Sequence, residues 1–197
     1  EIGSWDCTMD REQVAPLIYS ALRVQLSRTV IDRVLGPLGP EAIGATGRGA
    51  AGHVQQLAAK IVESIARNDP SYLGANETWS DVLLEALERG IADLESRLGS
   101  EVSGWRYGAL HRTRPRHPLS NAYPEAATLM DPPGTACHGD GDTPLQGGYN
   151  LENPFTLTGL SVNRYIHDPS DWTRSRWIVP MGASGHPGSP HYADQMP

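Results

Sequence analysis

Near Gly104 the sequence changes texture, and this break constrains the chain more than any other feature. Before it, apolar residues recur every three or four positions, the spacing of one helix face. After it, that period vanishes, and Pro, Gly, His, Asp and Trp take over. A chain built this way reads as α+β: helices first, then a few strands joined by long irregular connections. With 197 residues there is room for one domain with a substantial core. We therefore divide it into a helical segment, 1–103, and a strand and loop segment, 104–197, expected to form one folded unit.

Three helices are expected in the first segment. Asp10 is a candidate N-cap with Gln13 as its capping-box partner. Val14, Leu17, Ile18, Ala21, Leu22, Leu26, Val30, Ile31 and Val34 then mark one face. Pro16 fits only within the first turn. Gly36-Pro37 and Gly39-Pro40 are stop signals. A second helix is expected over roughly 53–67. A third covers roughly 78–98, capped by Thr78 or Ser80, favoured by Asp81 in its first turn and ended by Gly99. Between the first two, Gly44 to Gly52 is rich in glycine, but it lacks the Lys-Ser/Thr ending of a phosphate loop and a preceding strand. It reads as a flexible loop, and His53 beside it as a solvated helix-start residue. After Gly104, short β-type runs stand at 105–110, 135–137, 158–166 and 177–181. In the third run Leu160, Val162, Arg164 and Ile166 alternate with Ser161, Asn163 and Tyr165.

Charge and composition exclude several function classes. The net charge of −7 opposes a nucleic-acid partner, and Arg112, Arg114 and Arg116 form too short a basic cluster to reverse it. Lys60 is the single lysine. No run of about 18 apolar residues suits a membrane-spanning helix. Cys7 and Cys137 lack metal-type spacing, and two free, buried thiols are the simpler expectation, with a long-loop disulfide as the alternative. The start at Glu1, with neither Met nor leader, is expected to reflect trimming.

Three polar constellations invite a catalytic reading. His111 and His117, with His138, Asp140 and Asp142, contain the donor types of a metal site, but their spacing favours side chains that pin coil segments to the core. His138-Gly-Asp-Gly-Asp142 resembles the opening of a calcium loop, yet Pro144 and Leu145 follow, so a tight Asp turn is expected. Ser184, Ser189, His191 and Asp194 offer triad residue types, but triads are assembled from distant positions, and no nucleophile elbow is present. From the residues alone, no catalytic set stands out.

The second half resembles the penicillin amidase (penicillin acylase) family. Met181-Gly-Ala-Ser-Gly-His-Pro-Gly-Ser-Pro-His-Tyr-Ala-Asp-Gln195 is similar to that family's Gly-x-Ser-Gly-His-Pro-x-Ser-Pro-His-Tyr-x-Asp-Gln run near the end of its β subunit. Trp105 to His111 followed by His117-Pro-Leu, and Gly139-Asp-Gly-Asp-Thr143, match further family segments in order, and Arg176 to Pro180 sits where the family has a strand. The resemblance covers roughly residues 105–195. It implies an N-terminal-nucleophile hydrolase with an αββα sandwich. In such enzymes a freed N-terminal Ser attacks an acyl amide, and its own amine acts as base. Substrates of β-lactam antibiotic or N-acyl homoserine lactone type are implied.

Glu1 is not such a nucleophile, and the nucleophile, oxyanion and calcium-ligand segments of the family lie earlier in its β chain. The resemblance therefore implies no catalytic, cofactor-binding or metal residue in this chain, with calcium confined to the full enzyme. It implies a C-terminal fragment, inactive alone. The expected partner is the nucleophile-bearing part of the same enzyme, and an acyl-amide small molecule binds only to the whole. A dimer through exposed core, and a periplasmic or secreted location, are further expectations. The glycines Gly185 and Gly188 are expected to allow a backbone path that a Cβ would strain. Two alternatives remain at this point: a non-catalytic binding module reusing the fold, and a metal-dependent hydrolase built on His111, His117, Asp140 and Asp142.

Overall fold

The long α1, Ala15–Leu35, is the element around which the others pack. A computed structural model describes residues 2–43 and 50–196, the side chains of residues 50–56 excepted. Residues 44–49 of the glycine-rich stretch, and the side chain of His53, lie outside the described residues. Pro16 falls in the first turn of α1, where its missing N–H costs nothing. The N-cap position of the helix is Val14 rather than Asp10. Asp10 instead accepts from the Glu12 N–H in a turn leading into the helix, because the Gln13 carbonyl is claimed by the Tyr107 N–H at 2.9 Å.

Gly36 ends α1, adopting a positive φ of 52°. The chain then continues through a 3-10 turn into the short α2, Gly39–Ile43, so Gly39-Pro40 starts an element rather than stopping one. Next comes α3, Ala50–Arg67, three residues longer at its start than the apolar pattern suggested. The fourth helix, α4, covers Trp79–Leu98. Its cap is Thr78, whose hydroxyl accepts from the Asp81 N–H while Asp81 accepts from the Thr78 N–H. This reciprocal box satisfies two of the donors a helix start leaves open. At the other end the Gly99 N–H donates to Glu95 O at 2.8 Å, with φ at 83°.

The main core lies where α1 and α4 cross. Leu17, Ile18, Ala21 and Leu94 meet Trp105, Tyr107 and Phe155, so both segments share one apolar cluster. A second cluster joins Leu26 and Val30 to Ile61, Trp79, Val82 and Ala86. A third sets Val24 and Ile31 against Leu151. Phe155 reaches its place through a left-handed φ of 71°, unusual for an aromatic residue.

The second segment is mostly irregular. Tyr107–Leu110 forms one helical turn, α5, rather than the expected strand. The Tyr107 and Gly108 N–H groups donate to Gln13 O and Arg11 O, so the N-terminal segment takes the bonds a strand neighbour would need. Two further short helices follow, α6 at Pro118–Ala122 and α7 at Ala127–Met130. Strands are two or three residues long and form three separate pairs among the described residues. β1, Arg112–Thr113, pairs in parallel with β3, Thr156–Leu157. β2, Gly147–Gly148, pairs antiparallel with β4, Gly159–Leu160. β5, Arg164–Ile166, pairs antiparallel with β6, Arg176–Ile178. The expected strand at 158–166 is thus split at residues 161–163, because its halves pair with different partners. The run at 135–137 survives only as a bridge from Ala136 to Arg112.

The crossing of α1 and α4 depends on Gly90. A Cβ added there would stand 3.2 Å from the Ala21 carbonyl carbon and 3.3 Å from its Cβ. Gly90→Leu gains about 0.8 kcal/mol of helix propensity. It also forces apart two helices whose backbones nearly touch. We expect a net loss of about 2 kcal/mol in urea unfolding.

Candidate functional site

The family-like run from Met181 to Gln195 folds into a compact loop held by its own polar groups. The Ser184 N–H donates to His191 O at 3.0 Å, and the Gln195 N–H donates to Met181 O at 3.1 Å, closing the loop across its neck. Ser184 Oγ accepts from the His186 N–H, and Ser189 Oγ accepts from the His191 N–H. These hydroxyls therefore serve the backbone. His191 Nδ1 lies 2.9 Å from Asp194 Oδ2, but the imidazole is largely exposed. The loop is anchored at two points. Buried Tyr192 donates its hydroxyl proton to Met130 O at the end of α7. Gln195 Oε1 accepts from the Val179 N–H at 2.8 Å, tying the loop to the end of β6.

The glycine that this path requires is Gly182. A Cβ there would lie 2.9 Å from the Tyr192 carbonyl carbon and closer still to His191 O and Asp194 Oδ1. Gly185 meets nothing within 4 Å, and Gly188 faces only the movable His186 ring. The expectation for Gly185 and Gly188 is corrected accordingly: the neck of the loop is tight and its tip is open.

His111 and His117 are not brought together as ligands. His117 caps α6, its Nδ1 accepting from the Leu119 N–H at 3.2 Å, and its own N–H donates to Asp131 Oδ1 at 2.8 Å. Arg116 approaches the same carboxylate, and Arg112 donates to Gly134 O. For these residues the coil-pinning role holds. His138 accepts from the Arg11 N–H and lies 3.5 Å from Asp10. Among the described residues no group of three or more His, Cys, Asp or Glu side chains converges as a metal site. The acidic run also meets a cation already present: Arg23 on α1 pairs with Asp140 at 2.7 Å and Asp142 at 3.0 Å. A calcium ion does not fit there, because the Arg23 guanidinium already occupies both carboxylates.

Asp140 keeps its turn, with its N–H donating to Thr143 Oγ1 and its carboxylate accepting from Gly141. Burial raises its pKa, and the facing Arg23 guanidinium opposes that rise. Burial likewise works against the Arg23 charge, yet Asp140 and the neighbouring groups hold its pKa above the ordinary value. The pair is a structural bond across 117 residues of chain. No local pattern in the sequence announces Arg23, which sits unremarked on the polar side of α1. Cys7 is exposed rather than buried, Cys137 is buried, and they are not bridged.

His111 is fully buried. Its ring stacks on Tyr107 at 4.4 Å and meets the edge of Tyr149 at 6.0 Å. Neither ring nitrogen has a partner of good hydrogen-bond geometry. Desolvation lowers its pKa to about 4, with the Phe155 backbone opposing the shift. The arrangement suits a neutral imidazole used as a packing element, stacked like a third aromatic ring.

The whole chain, residues 1–197, matches the family model described as penicillin amidase. The chain belongs to the penicillin amidase family. It is 35% identical over 198 residues to penicillin acylase 2 proenzyme of Pseudomonas sp. strain SE83, covering 98% of this chain and 24% of that protein. It is 27% identical over 179 residues to acyl-homoserine lactone acylase QuiP of Pseudomonas syringae pv. tomato, covering 82% of this chain and 20% of that protein. The chain therefore spans about a quarter of the length of the penicillin amidase relatives it matches, and the helical first segment belongs to the family along with the signature loop.

Two outcomes follow. Gly182→Val should lower stability by roughly 3 kcal/mol, while Gly185→Val should stay within about 0.5 kcal/mol, both read from melting curves. The second concerns acid. His111 has a folded pKa of about 4, below its unfolded value of about 6.5, so the unfolded chain binds the extra proton between these values. Its contribution is present above pH 6.5 and lost as pH falls towards 4, by about 3 kcal/mol in total. Replacing it by Phe should flatten that part of the stability profile measured by denaturant titration.

Proposed function

We propose that this chain is the C-terminal part of an acylase-type amide hydrolase and acts as structural support for a catalytic centre carried elsewhere in the same enzyme. The observation that carries the reading is the match of the penicillin amidase family over residues 1–197. The local geometry supports it. Ser184 and Ser189 bond to backbone, His111 is a buried packing residue, and Arg23 neutralises Asp140 and Asp142. These side chains are occupied in holding loops and filling the core, as a supporting region requires.

The reaction is addition of water across an N-acyl amide. The acyl carbon gains the hydroxyl, the C–N bond breaks, and the amine leaves with a proton. In the proposed enzyme an N-terminal nucleophile in the remaining part attacks first, with its own amine as base. An acyl amide of β-lactam or N-acyl homoserine lactone type is the proposed substrate, and the names of the two relatives support that class. Export to the periplasm or medium belongs to the reading through the family resemblance.

Intact mass and N-terminal sequencing of the native gene product in its host test this. The expected result is a larger precursor and a second chain beginning with Ser, Thr or Cys that co-purifies with this one. Amide hydrolysis should require both, and the 197-residue chain by itself should be inactive. A host that makes only a chain starting near Glu1, with no partner, would overturn the reading.

A further inference from the structure

The β5–β6 pair carries large apolar side chains on both of its faces. Residues opposite one another in an antiparallel pair share a face, and successive residues alternate. Tyr165 faces Trp177 across the pair, with ring centroids 5.8 Å apart. His167 and Trp172 extend this row, at 4.4 Å from Tyr165 and 5.9 Å from His167. The other face holds Arg164 with Ile178, and Ile166 with Arg176. Exposure is 63% for Trp177, 68% for Trp172, 51% for Tyr165 and 69% for Ile166. A pair of three-residue strands is marginal by itself, and so much contiguous apolar surface marks a contact area.

We infer that the β5–β6 pair is the docking element for the rest of the acylase polypeptide, which covers it on both faces. The inference rests on the functional reading above and names the surface through which the parts join. Two observations select this occupant. First, the matched relatives carry about three quarters of their length outside the region this chain represents. Second, exposed apolar side chains stand on both sides of the pair, Tyr165 and Trp177 on one and Ile166 and Ile178 on the other, whereas a two-fold dimer through one face leaves the other in water. The partner surface is therefore apolar against Tyr165 and Trp177. Against the opposite face it is apolar with carboxylates placed for Arg164 and Arg176. Gln195 connects this element to the signature loop through the Val179 N–H, so docking also fixes that loop.

Hydroxyl-radical footprinting of the full-length gene product tests the inference, with the same protein in guanidinium chloride as reference. Docking predicts that Trp172 and Trp177 are modified at least about tenfold more slowly in the native protein. Rates within about twofold of the denatured reference, as their exposure in this chain implies, would overturn it. Protection that fades on dilution, together with a two-fold drop in mass by light scattering, would assign the surface to a second copy and also overturn it. Hydrolysis of an acyl amide by the same sample is scored separately. Activity with unprotected Trp177 sinks the docking surface alone, and protection without activity sinks the functional reading alone.

Discussion

The contact between Arg23 and Asp140 joins the regular half of the molecule to the irregular half. Arg23 projects from the middle of α1, and Asp140 sits in a turn whose neighbouring Gly139 also donates to Met9 O and accepts from the Tyr107 hydroxyl. Both groups are withdrawn from water, so each is tolerable only in the presence of the other. Arg28, five residues further along α1, donates to Leu151 O and repeats the connection with a neutral acceptor. Between these bonds the aromatic residues Tyr107, Tyr149 and Phe155 close over α1 and α4. Long coil segments thus behave as part of a core although they have little secondary structure of their own.

This explains why the second segment needs so many polar side chains. A coil that runs over a core lacks ladder partners for its backbone, and each buried N–H or C=O must find another. Asp131, His117, Arg112, Thr113 and Thr143 supply those partners. The residue types that suggested catalysis in the sequence are the types best able to satisfy stray backbone groups. Their chemistry is spent on architecture, and the link from that architecture to amide hydrolysis is the function proposed above.

Much of the helical segment was legible because its signals are local. Thr78 with Asp81, Gly99, Pro16 in the first turn and the apolar stripe of α4 all act within a few residues, and the structure follows them. Strands fared worse for a physical reason. Alternation at 158–166 is present, yet pairing depends on which distant segment arrives, and here Gly147–Gly148 and Arg176–Ile178 divide the run between them. Gly182 and Gly185 make the same point within one motif. Both are glycines of the signature, but only the approach of His191 and Asp194 makes the first indispensable. Arg23 was invisible because its meaning lies 117 residues away.

The left-handed backbone at Phe155 has a consequence for how the molecule assembles. Holding a bulky residue at that φ costs on the order of 1–3 kcal/mol. The compensation is burial of the ring against Leu17, Leu94 and Trp105, with the Arg97 guanidinium 5.8 Å from its centre. That surface exists only once α1 and α4 have docked. The segment around Phe155 therefore gains nothing by adopting its final shape early. It behaves as a latch held by the helical pair, so whatever loosens the α1–α4 crossing also releases the strained turn at Phe155.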